Sequence, residues 1–210
     1  MTHDGNPLQD VGTPGEPEGP ARADARRSLD ALLRAAAAVF AEAGVDAPMR
    51  TIAARAGVGV GTLYRHFPHR SDLLTAIVRR EVDACAEAAA SVATTQAPGD
   101  ALASWMQRLV DLAATKRGLG PALHSGDPAL QSLPDYVLGR LTPPLRGLLD
   151  AAYAAGAIRA GTDARELLLA GLRLAAPASE GDAAPARRML ALLVDGLRYG
   201  ASAPANPAPD

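Results

Sequence analysis

The chain has 210 residues, with 21 Lys and Arg against 23 Asp and Glu, and only 3% aromatic residues. That length permits one large or two small domains with a sizeable core, while no apolar run is long enough to cross a bilayer. One cysteine, Cys85, excludes an internal disulfide and any multi-cysteine metal site.

Ala and Leu outnumber Val, Ile and Thr, which favours helices over strands. The opening MTHDGNPLQD lacks the basic and apolar parts of a signal peptide, so a cytoplasmic protein is expected. Charge is uneven along the chain. Residues 1–20 hold four acids and no Lys or Arg; residues 21–80 hold ten arginines against five acids, a local +5; residues 81–210 hold eleven bases against fourteen acids, a local −3. A basic segment on a mildly acidic body is the electrostatic footprint of a nucleic-acid binder, and a solvated charged face is the plainer alternative.

Residues 1–20 and 201–210 are rich in Gly, Pro, Ala and polar residues and poor in core formers, and are expected to be disordered tails. A first helix is predicted over about Ala23 to Ala43, with Leu29, Leu32, Leu33, Ala36 and Phe40 on one face and Gly44 ending it. A short second helix is predicted from Pro48 to Ala56, with Pro48 in its first position and Met49, Ile52 and Ala53 facing one way. Gly57 then supplies a turn. A third short helix spans Val60 to His66, limited by Pro68. A fourth opens at a Ser71–Asp72 cap and runs through Leu73, Leu74, Ile77, Val78 and Val82 past Cys85.

The remainder also reads as helices: Gly99 to Lys116; a short one somewhere in Leu119 to Pro134; Pro134 to Ala155, with Pro143–Pro144 as a kink or break; Asp163 to Ala176; and Asp182 to Tyr199. Asp163 and Glu166 form a variant of the capping box. The last two helices are apolar on more than one face, through Leu167, Leu168, Leu169, Leu172 and Leu174, then Met189, Leu190, Leu192, Leu193, Val194 and Leu197. Such helices are buried on more than one face, and a second subunit is the simplest partner. A homodimer through residues near 163–176 and 182–199 is therefore expected.

The stretch AGVGVGTLYRHFPHR, Ala56 to Arg70, admits two readings. A dinucleotide fingerprint needs a preceding strand and a third glycine. Here a helix precedes it, and Thr62 holds the third place. A P-loop needs Gly-Lys-Ser/Thr, and there is no lysine. No cofactor is expected. Two short helices joined by a glycine turn are instead a helix-turn-helix, whose second helix enters the major groove. Leu63 and Phe67 then point inward, and Thr62, Tyr64, Arg65 and His66 outward. Hydroxyl and guanidinium groups suit phosphate oxygens.

The segment MRTIAARAGVGVGTLYRHFPHRSDLL, Met49 to Leu74, resembles the signature of TetR-family transcriptional regulators, and LVDLAATKRGLGPAL, Leu109 to Leu123, resembles the ligand domain of their SbtR-like subgroup. The resemblance implies an all-α homodimer. Three N-terminal helices, in residues 21–70, would bind DNA, and residues 71–200 would form an effector-binding and dimerisation domain. It implies a repressor released from a palindromic operator by a small-molecule effector. Ala47 and Gly59 stand where the family often caps its second and third helices with a hydroxyl. Ala at a cap costs about 1 kcal/mol, and Gly only about a few tenths. Thr51 replaces a residue that is commonly acidic.

Arg50, Thr51, Thr62, Tyr64, His66 and Arg70 are expected to contact the DNA backbone, and Val60, Gly61 and Arg65 to approach base edges. Trp105, Met106, Leu109, His124, Tyr136 and Tyr153 lie on helices that would surround an effector, with ordinary core packing as the alternative. Cys85 could sense oxidants, although a small buried cysteine is commoner. His66 and His69 are three apart, and no carboxylate or thiolate completes a metal site. A helical enzyme, or a dimeric interaction module that no longer reads DNA, are the competing functions.

Overall fold

The computed structural model describes residues 20–115, 127–176 and 182–199. The expected tails therefore lie outside the described residues, apart from Pro20. Among the described residues every regular element is an α-helix and no strand occurs. In chain order these are α1 (Pro20–Ala43), α2 (Met49–Ala56), α3 (Val60–His66), α4 (Arg70–Thr95), α5 (Pro98–Thr115), α6 (Pro128–Gln131), α7 (Leu133–Ala154), α8 (Ala164–Ala175) and α9 (Ala184–Arg198).

The N-terminal three helices follow from their apolar stripes. Leu32, Leu33, Ala36 and Phe40 of α1, Met49, Ile52 and Ala53 of α2, and Leu63 of α3 with Phe67 just beyond it are all buried together. Glycine closes two of the turns in the left-handed region. Gly44 has φ +77 and donates its N–H to the Phe40 carbonyl at 2.9 Å. Gly57 has φ +69, and the Val58 N–H reaches back to the Ala53 carbonyl at 3.0 Å. An L side chain is costly at such φ, so glycine is the residue of choice there.

Helix starts differ in detail from the sequence expectation. Pro48 is the N-cap of α2 and not its first residue, with φ −61 and an extended ψ of 134. Ala47 therefore lies outside the capping position and is buried instead. Helix α4 begins one residue before Ser71. Its cap residue is His69, whose N–H donates to Asp72 Oδ2 at 2.9 Å.

A single helix, α4, joins the head to the body. Its buried stripe runs Leu73, Leu74, Ile77, Val78, Val82, Cys85, Ala86, Ala89 and Val92. It packs against α1 at one end and against α5, α6 and α7 further along. Helix α5 supplies Leu102, Trp105, Met106 and Leu109 to the same core, all fully buried. Pro143 and Pro144 do not break α7, which continues from Leu133 to Ala154. Each proline removes a backbone donor. The carbonyls four residues back belong to Gly139 and Arg140, which are exposed, so water can satisfy them. Burial of Val137, Leu141, Leu145, Leu148 and Leu149 holds the helix across the interruption.

Helices α8 and α9 bury one face each: Leu167, Leu168, Gly171 and Ala175, then Ala186, Leu190, Val194 and Leu197. Asp163 caps α8 as expected, its Oδ1 accepting the Glu166 N–H at 2.9 Å. The second apolar face is left open. Leu174, Met189 and Leu192 are exposed, Leu192 at 64%. No helix among the described residues is long and apolar enough to cross a membrane.

Two glycine substitutions test this packing. A Cβ on Gly171 would sit 2.8 Å from Leu109 Cδ1 and 2.9 Å from Met106 Cε, whereas one on Gly147 of α7 meets nothing within 4 Å. In urea denaturation Gly171→Val is expected to lower stability by about 1–3 kcal/mol through overpacking. Gly147→Ala is expected to raise it by about 0.5–1 kcal/mol through helix propensity.

Candidate nucleic-acid interface

The helix-turn-helix is built from burial inward and polarity outward. In α3, Leu63 is fully buried and Phe67 nearly so, anchoring a helix of only seven residues. The rotation this enforces leaves Val60, Gly61, Tyr64, Arg65 and His66 exposed, with Thr62 half-buried. Tyr64 is 48% exposed and Val60 41%, large values for apolar and aromatic groups next to a well-filled core. A Cβ at Gly61 would meet no atom within 4 Å, so the helix backbone is bare there. Gly59 caps α3 without a side-chain hydrogen bond.

Arg50 and Thr51 lie exposed in the first turn of α2. No side chain caps that helix. First-turn N–H groups and the helix dipole favour an anion at such an end. Arg55, at the other end of α2, is engaged by Glu42 of α1, with Arg55 Nη2 donating to Glu42 Oε1 at 2.8 Å. The hydrogen bond from Arg55 holds the Glu42 carboxyl below the usual carboxylate range. This pair ties α1 to α2 and takes one arginine out of the free basic surface.

Arg70 has partners within the protein. Its Nη1 donates to the backbone carbonyls of Val45 and Ala47, the second at 2.7 Å, and its guanidinium carbon lies 6.0 Å from the Phe40 ring centroid. The side chain is half-buried and turned toward the α1–α2 turn. Spacing along the chain could not show this, because the acceptors are main-chain atoms 25 and 23 residues away.

The expected effector residues among those described fall in three different settings. Trp105, Met106 and Leu109 are fully buried core residues. The Trp105 Nε1–H donates to the Cys85 carbonyl at 2.8 Å, locking α5 to α4. Tyr136 belongs to a polar cluster. Its hydroxyl donates to Asp83 at 2.8 Å, Arg140 Nε donates to the same carboxylate at 2.6 Å, and Arg79 stacks 4.9 Å from the Tyr136 ring centroid. Burial first, then the Asp83 hydrogen bond, pushes the Tyr136 hydroxyl pKa up. Tyr153 is exposed at the far end of α7. His124 lies outside the described residues. Asp83 is the participant that sequence reasoning missed. It sits 53 residues from Tyr136, and no periodicity connects the two.

Two surface concavities are present elsewhere. One, of about 330 Å³, lies between α5 and α9 and is lined by Asp100, Ser104, Gln107, Asp195 and Arg198. Another, of about 530 Å³, borders the α7–α8 loop at Arg159, Gly161, Asp163 and Glu166. Neither is lined by the six expected effector residues. Among the described residues no group of three or more His, Cys, Asp or Glu is placed to hold a metal ion.

These features define a class, an all-helical protein whose N-terminal helix-turn-helix rests on a long connecting helix and a separate helical body. Comparison with known proteins agrees in both parts. Residues 32–77 match the family model for bacterial regulatory proteins of the tetR family, and residues 97–199 match that for the C-terminal domain of SbtR-like transcriptional regulators. The crystal structure of a TetR transcriptional regulator from Streptomyces coelicolor is 37% identical, covers 80% of this chain and 97% of its own, and superposes with a TM-score of 0.68. That of a TetR transcription regulatory protein from Mycobacterium vanbaalenii is 33% identical, covering 85% and 99%, with a TM-score of 0.65. A curated HTH-type transcriptional regulator of Staphylococcus aureus is 40% identical over 63 residues, 30% of this chain. The match spans about a third of that relative's length (34%). The chain belongs to the TetR family of transcriptional regulators.

Cys85 is 5% exposed, and desolvation pushes its thiol up to about 11. A free thiol titrates near about 8.5, so burial leaves very little of the reactive thiolate at pH 8. Ellman's reagent at pH 8 is expected to react with Cys85 promptly in concentrated guanidinium but only at the rate of unfolding in the native protein. Immediate stoichiometric reaction of the native protein would show instead that the thiol is accessible.

Proposed function

We propose that this protein is a sequence-specific DNA-binding regulator that acts as a homodimeric repressor, and that a small-molecule effector releases it from a palindromic operator. The observation that carries the reading is the outward face of α3. Val60, Gly61, Tyr64 and Arg65 stand free on a helix pinned by Leu63 and Phe67, beside the exposed Arg50 and Thr51 of α2. In the assignment we propose, Arg50, Thr51, Thr62, Tyr64 and His66 grip phosphates, and Val60, Gly61 and Arg65 approach base edges. The DNA-binding part ends near residue 70, the effector and dimerisation part follows, and the protein works in the cytoplasm as a regulator and not as an enzyme.

The uncovered faces of α8 and α9 support the dimer. Leu174, Met189 and Leu192 are apolar and exposed on the same helices whose other faces complete the core. A second copy would remove them from water. Two-fold symmetry in the protein then calls for two half-sites roughly one DNA turn apart, about 34–36 Å.

Proteins of the same fold have been crystallised with small molecules. FadR of Bacillus subtilis, 20% identical with a TM-score of 0.61, holds stearoyl-CoA, and RolR, 17% identical with a TM-score of 0.56, holds resorcinol. By analogy, an effector would enter beside α5 and α7, near Trp105, Met106, Leu109, His124, Tyr136 and Tyr153. Since Trp105, Met106 and Leu109 are closely packed, room for it requires those helices to move apart. Release then needs only that the effector bind the moved conformer more tightly than the DNA-bound one.

The direct test is selection of an operator from random duplex DNA, followed by gel-shift titration. Wild-type protein is expected to select a palindrome and bind it with a steep inverse salt dependence. Arg50→Ala is expected to flatten the salt slope by about 0.9 for each phosphate it no longer neutralises. Tyr64→Ala combined with Arg50→Ala should weaken binding by about a thousandfold, taking roughly 1 kcal/mol for each side chain removed from each subunit, about 4 kcal/mol in all. Unchanged affinity in the double variant would remove these residues from the interface. A separate variant, Leu192→Glu, is expected to shift the protein from dimer to monomer in light scattering while its helical circular dichroism is kept.

A further inference from the structure

We propose that Arg70 is a positioning residue, a strut that holds the helix-turn-helix at a fixed angle to α4, and not a contact to DNA phosphate. The proposal rests on the DNA-reading function above and names how that site is held. Arg70 is the first residue of α4. Its Nη1 donates to two carbonyls of the α1–α2 turn, those of Val45 and Ala47, and its guanidinium lies over the Phe40 ring of α1. One side chain thus binds α4 to both the first helix and the turn that launches the second.

The acceptors belong to a closed turn. Val45 and Ala47 are both buried, at 8% and 4% exposure. The turn folds back through the Ala47 N–H to the Gly44 carbonyl at 3.2 Å. Unpaired buried carbonyls are costly, so the arginine supplies donors where the turn needs them. Helix α2 starts directly after this turn with Met49, Arg50 and Thr51. Any displacement of the turn therefore reaches the face that meets DNA.

Helix α4 is also fastened to the body, within two turns of Arg70 and again at mid-helix. Thr75 Oγ1 donates to the Ala129 carbonyl at 3.3 Å, and Asp83 accepts from Tyr136 and Arg140 of α7. Helix α4 is thus gripped by the body along its length and by the head at Arg70. Arg70 reaches both carbonyls through Nη1 while its planar face lies over Phe40. A lysine ammonium keeps the charge but lacks that planar group and its fixed donor directions.

The experiment compares wild type, Arg70→Lys and Arg70→Met on the selected palindrome and on versions with half-sites one base pair closer or further apart. Arg50→Ala serves as the phosphate-binding control, and thermal melts report folding. A strut predicts that both Arg70 variants bind about three- to thirtyfold more weakly, the range found when coupling residues are altered. It predicts an unchanged salt slope and less discrimination between half-site spacings, because a loosened head reaches wrongly spaced sites more easily. Loss of stability alone would not flatten the spacing preference. If Arg70→Lys binds like wild type while the salt slope of Arg70→Met falls by about 1.8, two phosphates per dimer at about 0.9 each, Arg70 is a phosphate ligand and the proposal falls. It falls equally if both variants match wild type in affinity and spacing preference. If Arg70→Met does not fold, Arg70→Lys decides alone. Failure of the wild-type protein to select any duplex would instead overturn the DNA-reading function on which the strut depends.

Discussion

Everything in this fold depends on α4 being one unbroken helix. Its 26 residues span roughly 39 Å at the α-helical rise, and its single apolar stripe runs through one continuous core shared by head and body. Leu73, Leu74, Ile77 and Val78 lie in the half nearer the head, and Val82, Cys85, Ala89 and Val92 in the half nearer the body. No glycine or proline lies inside it. Head and body are thus joined by a rod and not by a hinge.

Polar groups set where that rod sits. The Trp105 Nε1–H to Cys85 carbonyl bond is buried, where a missing partner is expensive. The Asp83, Tyr136 and Arg140 cluster is partly exposed, and pairs of that kind contribute little stability by themselves, about 0–1 kcal/mol. Their effect is in direction. They select one of several near-equal ways in which apolar stripes could slide past each other. Arg70 does the same at the head, and the Arg198 to Asp100 pair at 3.0 Å does so between α9 and α5.

Much of the head is legible along the chain. Helix α3 has the predicted limits, Val60 to His66, because Gly59 and Pro68 bracket it and Leu63 and Phe67 are its only large inward residues. Gly44 and Gly57 read as turns because helical termini favour left-handed glycine, and both have positive φ. The body is less legible. The proline pair in α7 reads as a kink or a break, because local backbone chemistry disfavours proline inside a helix, and with tertiary burial on both sides the helix continues through it. Tyr136 and Trp105 lie on helices expected to face an effector, but the partners that orient them, Asp83 and the Cys85 carbonyl, come from another helix. Sequence position alone puts Arg70 at the surface, while its side chain is long enough to turn back on the main chain.

Local spacing is therefore enough to specify the helical class, the helix-turn-helix and the excess apolar faces of the last two helices, because each follows from 3.6-residue periodicity, glycine turns and caps. Packing across the fold settles which polar side chains face outward and which are engaged within the protein. Arg50 and Arg65 are exposed while Arg55 and Arg70 are engaged, and nothing in their residue type or local context separates them. The difference lies in what the neighbouring helix presents, a carboxylate from α1 in one case and two carbonyls of a closed turn in the other. Those neighbours come from distant parts of the chain, and one-dimensional spacing does not contain them.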